Sequence, residues 1–259
     1  MSTSITLTPI PNLPDIQPGD DVPALLLQKL VEAGLTLEEG DIIAVAQKII
    51  SKAEGRQVNL AEVEPGQEAR EVAEKTRKDP RLVELILRES EEISRMAPGI
   101  LIVRHRLGFT SANAGIDRSN VPQRERAGDG EWVLLLPVDP DISAARLRAA
   151  IARHTGVEVG VIITDSHGRP FRLGTIGVAI GVAGLPALWD RRGEADLYGY
   201  RLQHTEVGVA DELAAAAGLL MGQAAERIPG VLIRGVTLPP APASSARDLV
   251  RPKEKDLYR

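Results

Sequence analysis

The sequence predicts an α+β fold in which flanking helices cover a mixed β-sheet. Three short apolar runs, at residues 42–46, 157–164 and 228–236, are rich in β-branched residues and too short for stable helices, so each predicts a buried strand. Residues 25–35 and 206–221 instead place apolar residues at helical spacing. Strands and helices do not alternate in a strict strand–helix–strand order, which favours α+β over a doubly wound fold. At 259 residues the chain can bury a substantial core.

The N-terminal part predicts a strand at residues 5–10, where apolar and polar residues alternate before a proline-rich stop. The helix at 25–35 follows, and the next strand runs directly into a segment with two lysines, Lys48 and Lys52. These lysines either serve a site or extend into solvent from a solvated face. Residues 66–95 predict two charged helices, separated at positions 79–80 because proline interrupts a helix.

The middle of the chain predicts a strand at 99–106, followed by a long segment at 107–120 that is dense in glycine, serine and asparagine. A charged stretch near 121–130 is predicted to be a hinge between two lobes. A strand at 132–136 and a helix at 144–154 then lead to the strand that begins at Val157.

The C-terminal part predicts a polar excursion at 190–201, a helix at 206–221 and a strand at 228–236. Gly222 is placed to end the helix, since glycine adopts the backbone angles that helix ends require. The last residues, 237–259, are rich in proline, alanine and charge, and they predict a loose tail after a single domain at 1–236.

Residues 157–184 form the stretch around which the chain is organised. Its apolar strand is expected to stop at Asp165-Ser166-His167-Gly168, and Arg169 and Arg172 follow. A second apolar segment comes next, with glycine at every third or fourth position. A strand end that presents a carboxylate, a hydroxyl and two guanidinium groups suits a metal–phosphate site. The alternative is a hairpin turn with polar tips.

Composition excludes several classes of function. The chain has no cysteine, which removes disulfides, thiolate catalysis and cysteine-ligated zinc. Its net charge of −5 and the absence of a basic stripe argue against nucleic acid as the main partner. The N-terminus lacks a signal-peptide pattern, and no membrane partner is expected, so a cytoplasmic location is predicted. Adjacent Ser166 and His167 would point to opposite faces of an extended chain, a poor nucleophile–base pair.

Oxygen-bearing side chains on separate loops are the remaining candidates for chemistry. Asp117 and Asn120 lie three residues apart in the 107–120 segment, where they face one way in a site or simply stabilise an Asx turn. Hard divalent cations take carboxylate, hydroxyl and amide oxygens and share them with phosphates. The candidate metal ligands are Asp117, Asp165, Ser166 and Gln223, and the candidate phosphate-neutralising cations are Lys48, Lys52, Arg169 and Arg172. The residues therefore predict a metal-dependent enzyme that acts on a phosphorylated small molecule.

Several ordered segments of the chain carry a resemblance to a known family. They are Leu13-Pro14, DIIAVAQKIISKAEGR at 41–56, NAGIDRSN at 113–120, VGVIITDSHGRPFRLGTIGVAIGVAG at 159–184, DLYGYRL at 196–202, VADELAAAAGLLMGQ at 209–223 and IPGVLIRG at 228–235. Together they extend over nearly the full chain, and their order and combination are specific. The chain resembles the coenzyme F-420-0:L-glutamate ligase family.

The resemblance implies a role for each matching position. Two Mg²⁺ or Mn²⁺ ions would be held by Asp117, Asp165, Ser166 and Gln223, with K⁺ as a further candidate cation. Asp117, Asp165, Lys52 and Arg169 would carry the catalysis. The residues that would bind GTP are Leu13, Pro14, Asp15, Ile16, Gln47, Lys48, Lys52, Asn120, Met221, Gly222 and Gln223, the last three in a loop at 220–227 that closes over the nucleotide.

The resemblance also implies a reaction and an assembly. The terminal carboxylate of the F-420-0 precursor would attack the γ-phosphoryl group of GTP, and the amine of L-glutamate would displace phosphate from the acyl phosphate. Two metals, Lys52 and the arginines would stabilise the negative charge. The implied fold is the family's own α+β arrangement as an intertwined homodimer. No flavin reductase domain is expected after Arg259, so we predict ligase activity alone.

Two rival interpretations stay open. A metal-dependent phosphohydrolase could use the same Asp117 and Asp165 pair. In a non-catalytic nucleotide-binding module, the two acids would serve only as turn residues.

Overall fold

The computed structural model describes residues 4–123, 130–241 and 243–257. Helices and strands are mixed along the described chain, which confirms the predicted α+β class. Most of the predicted hinge, residues 124–129, lies outside the described residues.

The described helices and strands follow one another in broadly the order that the sequence predicts. The helices are α1 (Val22–Glu32), α2 (Gln47–Ala53), α3 (Gln67–Thr76), α4 (Pro80–Arg88), α5 (Pro140–Thr155) and α6 (Val209–Met221). The strands are β1 (Thr6–Ile10), β2 (Ile42–Ala46), β3 (Gln57–Asn59), β4 (Ser90–Ala97), β5 (Ile100–His105), β6 (Thr110–Ala112), β7 (Trp132–Leu134), β8 (Gly160–Arg169), β9 (Arg172–Ala183), β10 (Trp189–Asp190), β11 (Glu206–Val207) and β12 (Gly230–Arg234). Among the described helices, none is long and apolar enough to cross a membrane.

A five-stranded mixed sheet forms the centre of the fold, with strand order β1-β12-β2-β8-β9. The β2–β8 pair is parallel and its other pairs are antiparallel. Alternate residues of β2 point to opposite faces, as strand geometry requires. Ile43 and Val45 pack in the cluster that contains α1 and α5, whereas Ile42 and Ala44 pack in the cluster that contains α6. Because helices cover both faces of the sheet, both faces of β2 are apolar and its sequence is a continuous apolar run.

A further apolar cluster lies between α3, α4 and the small β4-β5-β6 sheet. The second predicted charged helix is wrong beyond Arg88, because the chain continues as β4 instead. Residues 90–97 pair antiparallel with β5 across a turn in which Gly99 has φ of 81°. Pairing with a neighbouring strand thus overrides the helical character of the local sequence.

The predicted strand end at Thr164 is also wrong. β8 runs on to Arg169, and Asp165, Ser166 and His167 form cross-strand pairs with β9. The hairpin turns at positions 170–171, where Phe171 has φ of 60°. Cross-strand hydrogen bonding extends the strand through the polar residues, so the polar tetrad lies within a hairpin and not at its turn.

The glycines of β9 allow helices to approach both faces of the sheet. A Cβ on Gly177 would lie 2.5 Å from the Ala214 carbonyl oxygen of α6, and a Cβ on Gly181 would lie 2.4 Å from the Pro140 carbonyl oxygen of α5. These positions are four apart and would share a face in a regular strand. A register shift opposite residues 163 and 164 turns them to opposite faces.

Part of the C-terminal segment is packed against the domain, so the prediction of a loose tail is wrong for residues 245–249. Ser245 caps a short 3₁₀ helix, Ala246–Leu249, and Ala246 is buried. The Asp141 carboxylate accepts hydrogen bonds from Ser245 Oγ at 2.6 Å and from the Ala246 N–H at 3.0 Å. A half-buried carboxylate at the start of α5 therefore holds a segment whose composition resembles a linker.

Candidate functional site

Asp117 lies at the centre of the candidate site. Its backbone exchanges two hydrogen bonds with Leu134, both of 2.9 Å, which fixes the residue beside β7. The Lys48 ammonium lies 2.6 Å from Asp117 Oδ2. Gln47 Nε2 donates to the same oxygen at 2.8 Å. The structure thus brings three of the predicted site residues into direct contact.

Helix α2 positions the basic side chains because it begins at once after β2. Gln47 is 1% exposed, and its Oε1 accepts a 2.8 Å hydrogen bond from Ser51 Oγ, which orients the amide toward Asp117. Lys52 follows Lys48 by one helical turn and is only 8% exposed. A solvated lysine face is therefore ruled out for Lys52.

The charges of the site act on one another. Burial raises the pKa of Asp117, the nearby Asp165 charge raises it further, and Lys48 and Gln47 oppose the shift. Burial also lowers the pKa of Lys52, against the attraction of Asp15 and with the repulsion of Lys48. Mutual influence of this kind is typical of functional sites, where charged groups are held together out of water.

Asp165 and His167 share one face of β8, and their side chains meet with Nε2 3.1 Å from Oδ2. The ring of Phe109 packs 4.8 Å from that of His167. Ser166 is exposed, and strand alternation turns its side chain away from Asp165. The sequence pattern favoured His167 only as a neighbour of Ser166, not as a partner of Asp165. The i, i+2 spacing to Asp165 along an extended strand was the signal that could have identified the pair.

The loop after α6 is linked to the Asp117 segment. Asn120 Nδ2 donates to the Ala224 carbonyl oxygen at 3.0 Å. Gly222 ends the helix with φ of 69°. Glu226 accepts from the Ala224 N–H at 2.8 Å, and hydrogen bonds from the loop backbone hold the pKa of Glu226 below its ordinary value. Gln223 is exposed in this loop and Met221 is half-buried at its start. Glu226, whose carboxylate folds the loop, is not among the predicted site residues.

The early Leu-Pro segment lies beside α2. Ile16 is 1% exposed and anchors the segment in the core, where Leu13 also packs, whereas Pro14 and Asp15 are exposed. The Gly19 N–H donates to the Ala53 carbonyl oxygen at 2.8 Å. This contact and the influence of Asp15 on Lys52 associate the segment with the basic end of the site.

Arg169 and Arg172 pair with each other next to the turn of the hairpin, and Arg169 is the predicted catalytic residue of the two. It follows Asp165 by four positions, about 13 Å at roughly 3.3 Å per strand residue. Its Nη2 donates to the Leu173 carbonyl oxygen at 3.1 Å, across the tip of the hairpin. Within one chain, the structure does not bring Arg169 beside Asp165.

The site fits a divalent cation in the type of its donors. Within the described residues, no three histidine, cysteine or acidic side chains gather closely enough to hold a metal by themselves. Asp165 is nevertheless near enough to Asp117 for its charge to raise the pKa of Asp117, and a cation beside these acids would favour the ionised form of Asp117. Carboxylates of this kind bind Mg²⁺ or Mn²⁺ together with water and substrate phosphates.

Comparisons with known proteins agree with one another. A sequence profile of the family described as F420-0:Gamma-glutamyl ligase matches residues 11–235. Coenzyme F420:L-glutamate ligase of Methanothermobacter thermautotrophicus is 48% identical over 98% of this chain and 99% of its own length. The proteins of the same name from Methanopyrus kandleri and Archaeoglobus fulgidus are 46% and 42% identical, over 99% and 98% of this chain and 98% and 96% of their own lengths. The chain belongs to the F420-0:gamma-glutamyl ligase family.

Proposed function

We propose that the protein is a GTP-dependent ligase that joins L-glutamate to the terminal carboxylate of the F-420-0 precursor in F-420 biosynthesis. The observation that carries the proposal is the contact of Lys48 and Gln47 with Asp117, within the electrostatic reach of Asp165. Relatives named coenzyme F420:L-glutamate ligase support the choice of acceptor and amino acid.

GTP is proposed to lie between the Leu-Pro segment, α2 and the loop at 220–227. Lys48 and Lys52 would neutralise its phosphates, and Lys52 is suited to this because a buried ammonium acts with little screening by water. The hydrogen bond from Asn120 to the Ala224 carbonyl supports a loop that closes over the nucleotide. Use of GTP is consistent with a cytoplasmic enzyme.

The proposed reaction has two balanced steps. A carboxylate oxygen of the precursor attacks the γ-phosphorus, and GDP leaves to give an acyl phosphate. The glutamate amine then attacks the acyl carbon, phosphate leaves, and the nitrogen loses a proton. The chain's own residues would hold the reactants and balance their charge, with Lys48 and Lys52 at the phosphates.

Asp117 and Asp165 would hold two Mg²⁺ or Mn²⁺ ions, which supply Lewis-acid stabilisation of phosphoryl oxygens. Ser166 and Gln223 are proposed as further ligands and K⁺ as an additional cation. Ser166 points away from Asp165 on β8. It would bind the same ion only if its exposed side chain approached the Asp165 face, or if the ion lay at the edge of the strand.

A homodimer is part of the proposal. The hairpin tip exposes Phe171 at 90% and Leu173 at 98%, and the excursion before α6 exposes Leu197 at 97% and Tyr198 at 95%. Large apolar side chains exposed in this way are typical of interfaces. An intertwined dimer of two-lobed subunits would bury them, and it would carry Arg169 toward the site of the partner.

A mass-spectrometric ligation assay tests the proposal. The purified chain is incubated with F-420-0, L-glutamate, Mn²⁺ and GTP, with ATP in place of GTP as the control. We expect a GTP-dependent product heavier by glutamyl units. GTP hydrolysis without glutamylation would favour a phosphohydrolase and overturn the ligase proposal.

The nucleotide-binding module is tested separately by GTP affinity. We expect metal-dependent GTP binding that is lost in Asp117→Ala. Tight GTP binding that persists in this variant, without any turnover by the wild-type chain, would favour the binding module.

A further inference from the structure

A cleft of about 280 Å³ opens beside the candidate site. His167 lines the cleft, and its imidazole contacts the Asp165 carboxylate at 3.1 Å. The walls of the cleft come from the 107–110 turn, β9, the start of α5 and the C-terminal segment. Among the described lining residues, none belongs to the proposed GTP-binding set. The cleft therefore suits a second substrate that meets GTP near Asp165.

The C-terminal segment forms one wall in a fixed position. The Asp141 carboxylate holds its Ser245–Ala246 end. Val250 abuts the 107–110 turn, since a Cβ built on Gly108 would lie 3.4 Å from Val250 Cγ1. A wall supported at both places is preorganised, so ligand binding would not have to order it.

The lining combines apolar side chains with two arginines. Arg247 and Arg251 both belong to the C-terminal wall and are exposed; Arg247 Nη2 donates a long hydrogen bond of 3.3 Å to the Arg106 carbonyl oxygen, which leaves its other N–H groups for an anionic ligand. Hydrophobic walls with a few charged groups are typical of sites for small-molecule ligands. The apolar lining residues are Leu107, Phe109, Val178, Ile180, Leu249 and Val250.

Four carboxylates also line the cleft, and three of them are engaged with the fold. Asp139 accepts from the Ile142 N–H at 3.0 Å, and Asp211 accepts from the Ala179 N–H at 2.8 Å. Asp141 accepts from Ser245, Ala246 and the Val182 N–H. The fourth, Asp256, lies on the C-terminal segment itself. The hydrogen bonds to Asp139, Asp141 and Asp211 partly compensate their charge, and the arginines of the C-terminal wall supply the positive charge of the lining.

We propose that this cleft binds the planar deazaflavin ring of the acceptor, with Arg247 and Arg251 on its anionic arm. The inference rests on the proposed function, because it names the site of that reaction's acceptor. Binding here would direct the acceptor toward the Asp165 end of the cleft, where its carboxylate would meet the GTP γ-phosphoryl group. The C-terminal segment would then determine acceptor specificity.

The test separates acceptor binding from GTP binding. In Val250→Trp, an indole ring replaces a small aliphatic side chain and fills the cleft. In Arg251→Gln, an exposed cation is removed without disturbing the core. We expect the KM for F-420-0 to rise on the order of tenfold in each, as for the loss of one charge-assisted or well-packed contact. The KM values for GTP and L-glutamate should stay within about twofold of wild type, because substitutions at distant sites act independently.

Matched controls make the same changes outside the cleft. Val31→Trp lies on α1, where the side chain is 77% exposed, and Arg153→Gln lies on the exposed side of α5. Neither should change the KM for F-420-0. Fluorescence titration of F-420-0 without GTP gives the Kd directly, and Arg251→Gln remains informative if Val250→Trp does not fold.

Two different results would overturn the cleft assignment and the proposed function separately. A wild-type chain that ligates glutamate, combined with unchanged KM and Kd values for F-420-0 in the cleft variants, would overturn the cleft assignment alone. A wild-type chain that neither binds F-420-0 nor forms product would overturn the proposed function itself.

Discussion

The Lys48 ammonium lies 2.6 Å from Asp117 Oδ2, although the two residues come from segments about 70 positions apart. The contact joins the helix that follows β2 to the segment that pairs with β7. Gln47 shares the same oxygen and fixes the orientation of the carboxylate. Burial raises the pKa of Asp117, so the paired lysine is what favours its ionised form near neutral pH.

Asp165→Asn should abolish ligation without unfolding the protein. The amide keeps the size of the side chain and can still meet His167, but it removes the charge proposed to hold a metal. Product formation is measured by mass spectrometry and folding by circular dichroism. Glu64→Gln, an exposed amide substitution outside the site, should retain activity. Wild-type turnover by Asp165→Asn would remove the proposed role in metal binding.

Lys52→Met should reduce ligation by roughly a hundredfold or more, the effect typical of losing one transition-state electrostatic contact. Its thermal midpoint should not fall below that of wild type, because burial lowers the pKa of Lys52 and so disfavours the charged group. Thermal melts and ligation rates check the two parts. A large loss of stability would instead make Lys52 a structural residue.

His105 should make stability fall at acid pH. Burial lowers its pKa from the usual 6.5 to about 4, with further contributions from nearby cations. Between these values the unfolded chain binds more protons than the native one, so the free energy of unfolding rises with pH and this contribution is lost as pH falls from 6.5 to 4. The group should account for about 2–3 kcal/mol between pH 7 and pH 4.5.

Urea unfolding at these two pH values measures the effect. In His105→Gln, which keeps an acceptor for the Leu107 N–H, the loss on acidification should be smaller than in wild type by that amount. An equal loss in both proteins would show that His105 does not contribute.

Gly177→Ala should destabilise the fold by about 1–3 kcal/mol or more, the usual cost of overpacking. The new methyl group would lie 2.5 Å from the Ala214 carbonyl oxygen, so α6 or β9 would have to move. Gly168→Ala is the matched control in the same hairpin, since a Cβ there meets nothing within 4 Å. Urea titration compares the two variants, and equal stabilities would contradict close packing of α6 on β9.

The main strands and helices could be predicted from the sequence because they depend on local patterns. The apolar run of β2 and the helical spacing of α6 are such patterns, and they survive because both elements bury their apolar residues where the pattern indicates. The predictions failed at β4 and at residues 165–169 of β8. These residues are polar and become strands only because a neighbouring strand offers hydrogen bonds, a contact that a local reading does not contain.

For the candidate site too, local features were predicted and long-range contacts were missed. Asp117, Asp165 and the lysines were identified as residue types suited to metal and phosphate, and the resemblance assigned them roles. The contact of His167 with Asp165 and the loop-forming role of Glu226 were missed, because each depends on backbone geometry. The packing of the C-terminal segment was missed because its partner, Asp141, lies about 104 positions away.

By itself, the sequence determined the fold class, the buried strands, the long helices and the chemical types at the site, since composition and periodicity are properties of the chain alone. Only the tertiary structure decided which of these residues meet. It paired Lys48 with Asp117, left Arg169 at the tip of the hairpin and fixed the C-terminal segment as the wall of a cleft. The reason is physical: long-range contacts form where burial and hydrogen bonding together offset the entropy of ordering distant segments.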